Sequence, residues 1–325
     1  MSLFSRTKPV ATVAFNMKPI AGPYGGGNQW VTQLSEFLRR SGYAVRFDLR
    51  QPVDCLLLTH AGLSGKLRFN VEEVAAYRKA HPRVGCIQRI NDNDRRKGTQ
   101  EMNAVLARTH AQADHTVFVS EWLRDHHAEL WFDRSRPHSA ILNGADPAAF
   151  HPIGGASFDG RQPFRIVTHH WSDNWAKGFA VYQQIDALIA DGQLPNTELV
   201  IVGRWPSEIR WRSAKTVPPC SGAALGRILR SCHLYVSASL WEPGAMHPVE
   251  GLQCGLPLIY HEDSGGTVEL GRRFGIGFRD NVGEVIEEAR QRYDELRRVV
   301  LEEPPSGDWM CLQYRRLIQQ LIAQR

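Results

Sequence analysis

The feature that most constrains the fold of this chain is a repeated alternation of short apolar runs with longer amphipathic segments. Each apolar run has the length and β-branched content of a buried strand, and the segment after it has helical periodicity. Strands that are apolar on both faces are typical of parallel sheets covered by helices. The predicted strands are 9–16, 44–49, 53–59, 83–89, 115–120, 164–168, 198–202, 233–240 and 257–260. The predicted helices are 28–40, 71–81, 100–113, 121–130, 178–189, 223–230, 283–301 and 308–324, with two more starting near 248 and 266.

The alternation is interrupted once and then restarts. The interruption, 154–163, is rich in glycine, serine and aspartate, which is typical of a linker. A chain of 325 residues has room for two domains. We therefore predict an α/β fold of two Rossmann-like, doubly wound domains: a first domain over 1–153, the linker 154–163, a second domain over 164–304 and a closing helix over 305–325.

Charge and cysteine usage limit the classes of partner. A net charge of +5 and a pI near 8.9 fit phosphate-bearing ligands or an anionic membrane surface. No arm rich in lysine and arginine is present, so we expect no nucleic-acid partner. The start of the sequence lacks the apolar core of a signal peptide, and the six cysteines form no C-x-x-C. We expect a cytoplasmic protein with at most peripheral contact to the inner face of a membrane.

Two carboxylates bracket the turn between a predicted strand and a predicted helix. Glu242 and Glu250 have seven residues between them, and Gly244 allows close approach of the backbone. Open α/β sheets bind ligands at the carboxyl ends of their strands. Carboxylates there can accept hydrogen bonds from neighbouring hydroxyls of a ribose or hexose. A helix amino end attracts acids in any case, but that explains either glutamate alone rather than both.

A second candidate is the run Gly25, Gly26 and Gly27, which lies between the first predicted strand and its helix. Strand, glycine loop and helix together present backbone N–H groups and a positive helix end to an anion. The spacing is not G-x-G-x-x-G, so a dinucleotide fingerprint fits poorly. Three glycines alone would equally form a tight loop.

Several single residues follow predicted strands and are weaker candidates. Lys177 opens a helix in the second domain, where an ammonium can neutralise a diphosphate, although a lone surface lysine is the simpler explanation. His60 and Arg89 end strands of the first domain and would point into a cleft, or would simply be solvated. His247 lies between the two glutamates, where it would either face a ligand or be solvated.

Three segments resemble motifs of the family 4 retaining glycosyltransferases. Leu240–Pro257 resembles the family's E-x7-E motif, and Ala113–Leu123 resembles its "AD-x-V-x-x-V-S-E-x-L" segment. Ile141–Pro152 resembles "I-x-N-G-V-D-x-x-x-F-x-P", which closes the first domain in that family. The resemblance covers nearly the whole chain in pieces. It implies the GT-B architecture, in which two Rossmann-like domains face a cleft and the closing helix crosses back to the first domain.

The resemblance also implies roles for the candidate residues. Glu242 would lie near the donor sugar, Glu250 would hold the nucleotide ribose, and Lys177 would contact the diphosphate. His60 would contact the donor sugar, and 25–27 would lie by the donor phosphates and the acceptor. The family has an arginine, four residues and then Lys-Gly. Here Ser172 is five residues before Lys177, and whether His170 or Ser172 replaces the arginine stays open.

A short D-x-D, Asp92-Asn93-Asp94, resembles the metal motif of single-domain glycosyltransferases. Clusters of aspartate and asparagine mainly form turns, and the alternation favours two domains. We therefore expect no metal, and interpret Asp92, like Arg89, as loop structure or a contact to sugar or acceptor.

The implied activity is the retaining, metal-independent transfer of a sugar from a nucleotide diphosphate sugar to a sugar, a lipid-linked acceptor or another hydroxyl acceptor. It implies no cofactor, and its setting would be the synthesis of surface polysaccharide or glycolipid. Two alternatives remain: a nucleotide-sugar epimerase on the same fold, and a sugar-nucleotide-binding protein without catalysis.

Overall fold

The fold is that of a computed structural model, which describes residues 8–22, 25–59 and 67–325. The first half contains a parallel sheet with helices around it. Its strands are β1 (Thr12–Phe15), β2 (Ala44–Arg46), β3 (Cys55–Leu58), β4 (Gly85–Ile90), β5 (His115–Phe118) and β6 (His138–Ala140). Its helices are α1 (Gly26–Arg40), α2 (Val71–Ala80), α3 (Asp94–Lys97), α4 (Met102–His110) and α5 (Glu121–Ala128).

The second half repeats this plan. Its strands are β7 (Phe164–His170), β8 (Thr197–Gly203), β9 (Lys215–Val217), β10 (Leu234–Ser237), β11 (Leu258–His261) and β12 (Gly275–Phe278). A single 3-10 turn covers Trp175–Lys177, and the helices are α6 (Phe179–Ala190), α7 (Gly222–Arg230), α8 (Met246–Gln253), α9 (Thr267–Phe274), α10 (Val282–Gln291), α11 (Tyr293–Glu302) and α12 (Gly307–Ala323).

Strand order places a crevice in each sheet. Within the described residues the first sheet runs β2-β1-β3-β4-β5-β6 and the second runs β12-β11-β10-β7-β8-β9, with neighbours parallel throughout. The order reverses between β1 and β3 and again between β7 and β10. Open α/β sheets bind ligands at such reversals, outside the carboxyl ends of the strands. The predicted α/β fold of two doubly wound domains is confirmed.

Three strands, the short helix α3 and one helix break were not predicted. β6, β9 and β12 are short edge strands and are mostly half-buried or exposed, so they lack the continuous apolar run of a central strand. The predicted helix 283–301 is two helices, α10 and α11, which meet at Arg292. β7 continues two residues beyond its predicted end, to His170.

The closing helix α12 packs on the first sheet. It contacts α1, β3 and β4, and its apolar face joins the core formed by β1 and α1. Tyr314 of α12 meets Trp30 of α1 with ring centroids 5.1 Å apart. The chain reaches this position through a backbone bond from Gly307 N to Ala145 O, 2.8 Å long.

The segment 154–163 follows the surface of the second sheet's domain. Phe158 packs on Phe164 of β7 and on Tyr293, with ring centroids 4.8 and 6.0 Å apart. Ala156 donates its backbone N–H to Arg230 O at 2.7 Å. Within residues 8–22, 25–59 and 67–325, no helix combines the length and the apolar character needed to span a bilayer.

Candidate functional site

A buried carboxylate with two cations lies at the reversal between β7 and β10. Glu242 follows β10, and its Oε1 accepts from Lys177 Nζ and from Arg96 Nε, the latter at 3.0 Å. Burial raises the pKa of Glu242, but the ammonium and the guanidinium outweigh burial and lower it to about 2. Burial also lowers the pKa of Lys177, against the pull of Glu242. The cluster carries one positive charge more than it has negative, so it suits an anion.

Local backbone geometry holds Lys177 and Glu242 at this place. Gly178 has φ +88°, and a Cβ there would lie 2.2 Å from Ala238 O, so only glycine fits between the 3-10 turn and β10. Asn174 caps the turn by accepting from Ala176 N at 2.8 Å. On the other side, Trp241 has φ +53°, an uncommon conformation for a bulky residue.

The second glutamate lies at the start of a chain of buried polar groups. Glu250 is 2% exposed, and its Oε2 lies 2.6 Å from His169 Nε2. A carboxylate oxygen accepts, so His169 donates from Nε2 and its Nδ1 accepts from the Tyr235 hydroxyl at 3.0 Å. That hydroxyl in turn accepts from His247 Nδ1 at 3.0 Å, and His247 Nε2 lies 3.4 Å from Ser239 Oγ. This series of hydrogen bonds fixes the orientation of the Glu250 carboxylate.

The Oε1 atom of Glu250 is buried and has no hydrogen-bond partner among the described residues. A buried unpaired acceptor costs about 1–3 kcal/mol, and a ligand hydroxyl would remove that cost. Sequence reasoning placed Glu250 near a polyol, and the free oxygen fits that expectation.

Two of the three candidate histidines, His170 and His247, lie behind the charged cluster. His170 Nε2 lies 2.9 Å from Thr168 Oγ1, and its ring packs against Phe179 and Tyr182. Burial holds the pKa of His170 and of His247 well below the usual range for histidine. Both are neutral, so His170 does not supply the positive charge of the family's arginine. Ser172 is engaged in a turn, where its Oγ accepts from Asn174 N at 3.2 Å.

The glycine run Gly25–Gly27 lies opposite α8, the helix that carries Glu250. Gly25 precedes α1, and Gly26 and Gly27 begin it; a Cβ on Gly26 would lie 2.7 Å from Met246 Cγ at the start of α8. Among the residues that the structure describes, no side chain caps the amino end of α1 or of α8. Two positive helix ends therefore approach each other.

The loop between β10 and α8 also packs directly on the first domain. Asn143 Nδ2 donates to Gly244 O at 2.6 Å, and Ser120 Oγ donates to Pro243 O. A Cβ on Gly244 would lie 2.8 Å from Val119 O, so glycine is needed for this close approach. Gly244 therefore joins the two halves of the chain rather than only lining the donor side.

Arg89 was predicted to point into a cleft or to be solvated, but it is buried. It is 2% exposed, its guanidinium lies 4.6 Å from the Trp30 ring centroid, and Nη2 donates to Asn143 Oδ1 at 2.9 Å. Nη1 donates to Thr59 Oγ1 at 3.3 Å. Burial lowers the pKa of Arg89. Through Asn143 it supports the contact with the Gly244 loop.

The Asp92-Asn93-Asp94 segment shapes the loop that carries α3. Asn93 caps α3 by accepting from Arg96 N at 2.8 Å, and Asp94 accepts from Met102 N at 2.8 Å and Asn103 N at 3.0 Å. The Asp92 carboxylate pairs with Lys97 Nζ at 2.9 Å. Burial raises the pKa of Asp92. No group of three metal-ligating side chains occurs in the part of the chain that the structure describes.

A neutral histidine holds the Asp92 loop. His127 Nε2 donates to Asp92 O at 3.0 Å, and its Nδ1 accepts from Trp131 Nε1 at 3.0 Å, so a proton on Nδ1 would break the second bond. Burial lowers the pKa of His127 to about 4, from 6.5.

The low pKa of His127 makes stability dependent on pH. Its native pKa is below the unfolded value, so the unfolded chain binds the proton first. The contribution of neutral His127 to the free energy of unfolding is complete above about pH 6.5 and is lost as the pH falls towards 4. We expect His127→Gln to lessen the fall in unfolding free energy by about 1 kcal/mol between pH 6.5 and 5.5. Urea unfolding at the two pH values measures this. Equal losses in both proteins would contradict the assignment.

His60 lies outside the described residues. Sequence reasoning also missed several residues that touch the site from other segments: Arg96, Ser120, His169, Asn143, Tyr235 and Ser239. Ser120 and Asn143 lie within the quoted motif segments, so those segments already pointed to both.

Several solved structures are similar to this chain in fold. Sucrose-phosphate synthase from Thermosynechococcus elongatus is similar, with a TM-score of 0.72, 14% identity and coverage of 97% of this chain and 100% of that one. The chain has the GT-B fold. HepE from Anabaena, in complex with UDP and glucose, has a TM-score of 0.69 and 13% identity, and the match covers 95% of this chain and 100% of that one. The catalytic domain of starch synthase IV from Arabidopsis thaliana, bound to ADP and acarbose, has a TM-score of 0.67 and 12% identity, and the match covers 97% of this chain and 100% of that one. No family model and no curated protein matches this chain.

Proposed function

We propose that this GT-B chain is a retaining glycosyltransferase that moves a sugar from a nucleotide diphosphate sugar to a hydroxyl acceptor. The observation that carries the proposal is the convergence at the β7–β10 reversal. Lys177, the uncapped amino end of α8 and the unpaired oxygen of Glu250 all lie on segments that follow β7 or β10. Lys177 and the amino end of α8 can bind a diphosphate, and the Glu250 oxygen can accept a hydrogen bond from a ribose hydroxyl.

The solved structures support the choice of ligand. HepE was solved in complex with UDP and glucose, and the catalytic domain of starch synthase IV was solved with ADP and acarbose. By analogy, the nucleotide would lie against the second sheet here, with its ribose on Glu250. The donor sugar would then lie near Glu242, and the acceptor would approach from the first domain, by Gly25–Gly27. We place no resident metal or cofactor in the site.

The reaction follows from these positions. The bond between the anomeric carbon and the phosphate oxygen breaks, and its electron pair stays on that oxygen. The acceptor oxygen bonds to the anomeric carbon from the same face, and its proton passes to the departing phosphate. Negative charge therefore grows on the diphosphate, where Lys177 and the α8 amides stabilise it. The first domain covers the crevice through the Gly244 loop, so the donor enters when the domains separate.

The test is incubation with UDP-, GDP- and ADP-sugars and a panel of sugar and lipid-linked acceptors. We expect transfer from one donor, with the anomeric configuration retained by NMR and with activity unchanged in excess chelator. Activity lost to the chelator and restored by manganese would make Asp92 and Asp94 metal ligands. Epimer formation without transfer, or binding without turnover, would instead support the two alternatives.

A further inference from the structure

Arg96 is a residue of the first domain that reaches a carboxylate of the second. Its Nε lies 3.0 Å from Glu242 Oε1, the oxygen that also accepts from Lys177. The side chain is 14% exposed. Neither the motif segments nor the charge pattern singled it out, because it belongs to a basic run, Arg95-Arg96-Lys97, that sequence reasoning left unassigned.

The guanidinium keeps donors for a second partner. Arg96 has five N–H groups, and its side-chain bond to Glu242 uses the one on Nε. In the described residues, neither Nη1 nor Nη2 makes a hydrogen bond. The planar fork suits bidentate contact with a phosphate. Arg96 can therefore bind an anion without leaving Glu242.

The surroundings fix Arg96 towards the crevice. Asn93 accepts from its backbone N–H at 2.8 Å. On one side Arg95 lies 4.3 Å from the Trp241 ring centroid, and on the other Lys97 pairs with Asp92 at 2.9 Å. The neighbouring cations are thus engaged elsewhere, and Arg96 alone of the three meets Glu242.

We propose that Arg96 is the second cation of the diphosphate site, supplied from the first domain in place of the arginine that the family has five residues before Lys177. Ser172 stands at that position and carries no charge, and His170 is neutral. As the bond to the anomeric carbon breaks and the electron pair moves to the phosphate oxygen, Arg96 and Lys177 share the added charge. Diphosphate binding then also holds the two domains together. This inference rests on the proposed function.

Calorimetry with Arg96→Gln, Arg96→Lys and a matched control tests the inference. The control is Arg108→Gln, which removes an exposed arginine from α4 of the same domain. The ligands are the nucleoside diphosphate selected by the donor screen, the bare nucleoside, and inorganic pyrophosphate as competitor. We expect Arg96→Gln to weaken the diphosphate and pyrophosphate about ten- to hundredfold, with the nucleoside unchanged. Arg96→Lys should recover most of the loss, and the control should match the wild type.

Three results would overturn the inference, and only the third would also remove the proposed function. Unchanged diphosphate affinity in Arg96→Gln, or an equal loss for nucleoside and diphosphate, would make Arg96 only a contact between domains and leave the proposed function standing. A wild-type protein that binds no nucleoside diphosphate would remove the proposed function and this inference together.

Discussion

Replacement of Lys177 by methionine is expected to lower the rate of sugar transfer roughly 100- to 1000-fold, the usual cost of removing one group that stabilises transition-state charge. Methionine fills nearly the same space as the buried stem of lysine, so packing is kept. Glu242 keeps Arg96 as a partner and is not left as an isolated buried charge. The loss should therefore appear in kcat, with the folded state retained.

Steady-state kinetics with the donor found by the screen measures this effect, and circular dichroism confirms that the variant folds. Arg108→Gln, which removes an exposed positive charge from α4, serves as the control. A Lys177→Met protein that works within threefold of the wild type would show that Lys177 is an interior ion pair and no more.

Glu250→Gln is expected to weaken nucleoside diphosphate binding about ten- to hundredfold, since a hydrogen bond to a charged group contributes about 1.5–3 kcal/mol. The variant keeps the shape of the side chain but replaces the carboxylate that His169 orients and that has a free Oε1. If the ribose hydroxyls are the partners, the wild type should also discriminate against the 2′,3′-dideoxy nucleotide, and the variant should not.

Calorimetry of the two nucleotides against the two proteins forms a double-mutant cycle. Glu284→Gln, an exposed glutamate of α10 in the same half of the chain, is the charge-matched control. Full discrimination between the two nucleotides in the Glu250 variant would remove the ribose assignment.

Much of the fold was predictable from the sequence. Central parallel strands are buried on both faces, so their sequences are continuous apolar runs. The turn holding Glu242 and Glu250 was readable for the same reason, since β10 before it is entirely buried. Edge strands such as β9 are exposed on one side and carry no such pattern. The sequence predicts central elements better than edges.

The site was only partly predictable, because partners that meet through space leave no local pattern. Arg96 lies 146 residues from Glu242 in sequence. No contact between His169 and Glu250 was predicted, because the two residues are 81 positions apart in sequence. In the longer strand, alternation sends His169 towards Glu250 and His170 towards Phe179 and Tyr182. The pleat of β7 thus decides which of two adjacent histidines contacts Glu250.

The most direct test of the account is a crystal structure of the protein with the nucleoside diphosphate that binds it. We predict the diphosphate at the amino end of α8, within hydrogen-bond distance of Lys177 Nζ and an Arg96 Nη, and the ribose hydroxyls on Glu250 Oε1. A diphosphate held elsewhere, with Lys177 and Glu250 touching no part of the nucleotide, would contradict it.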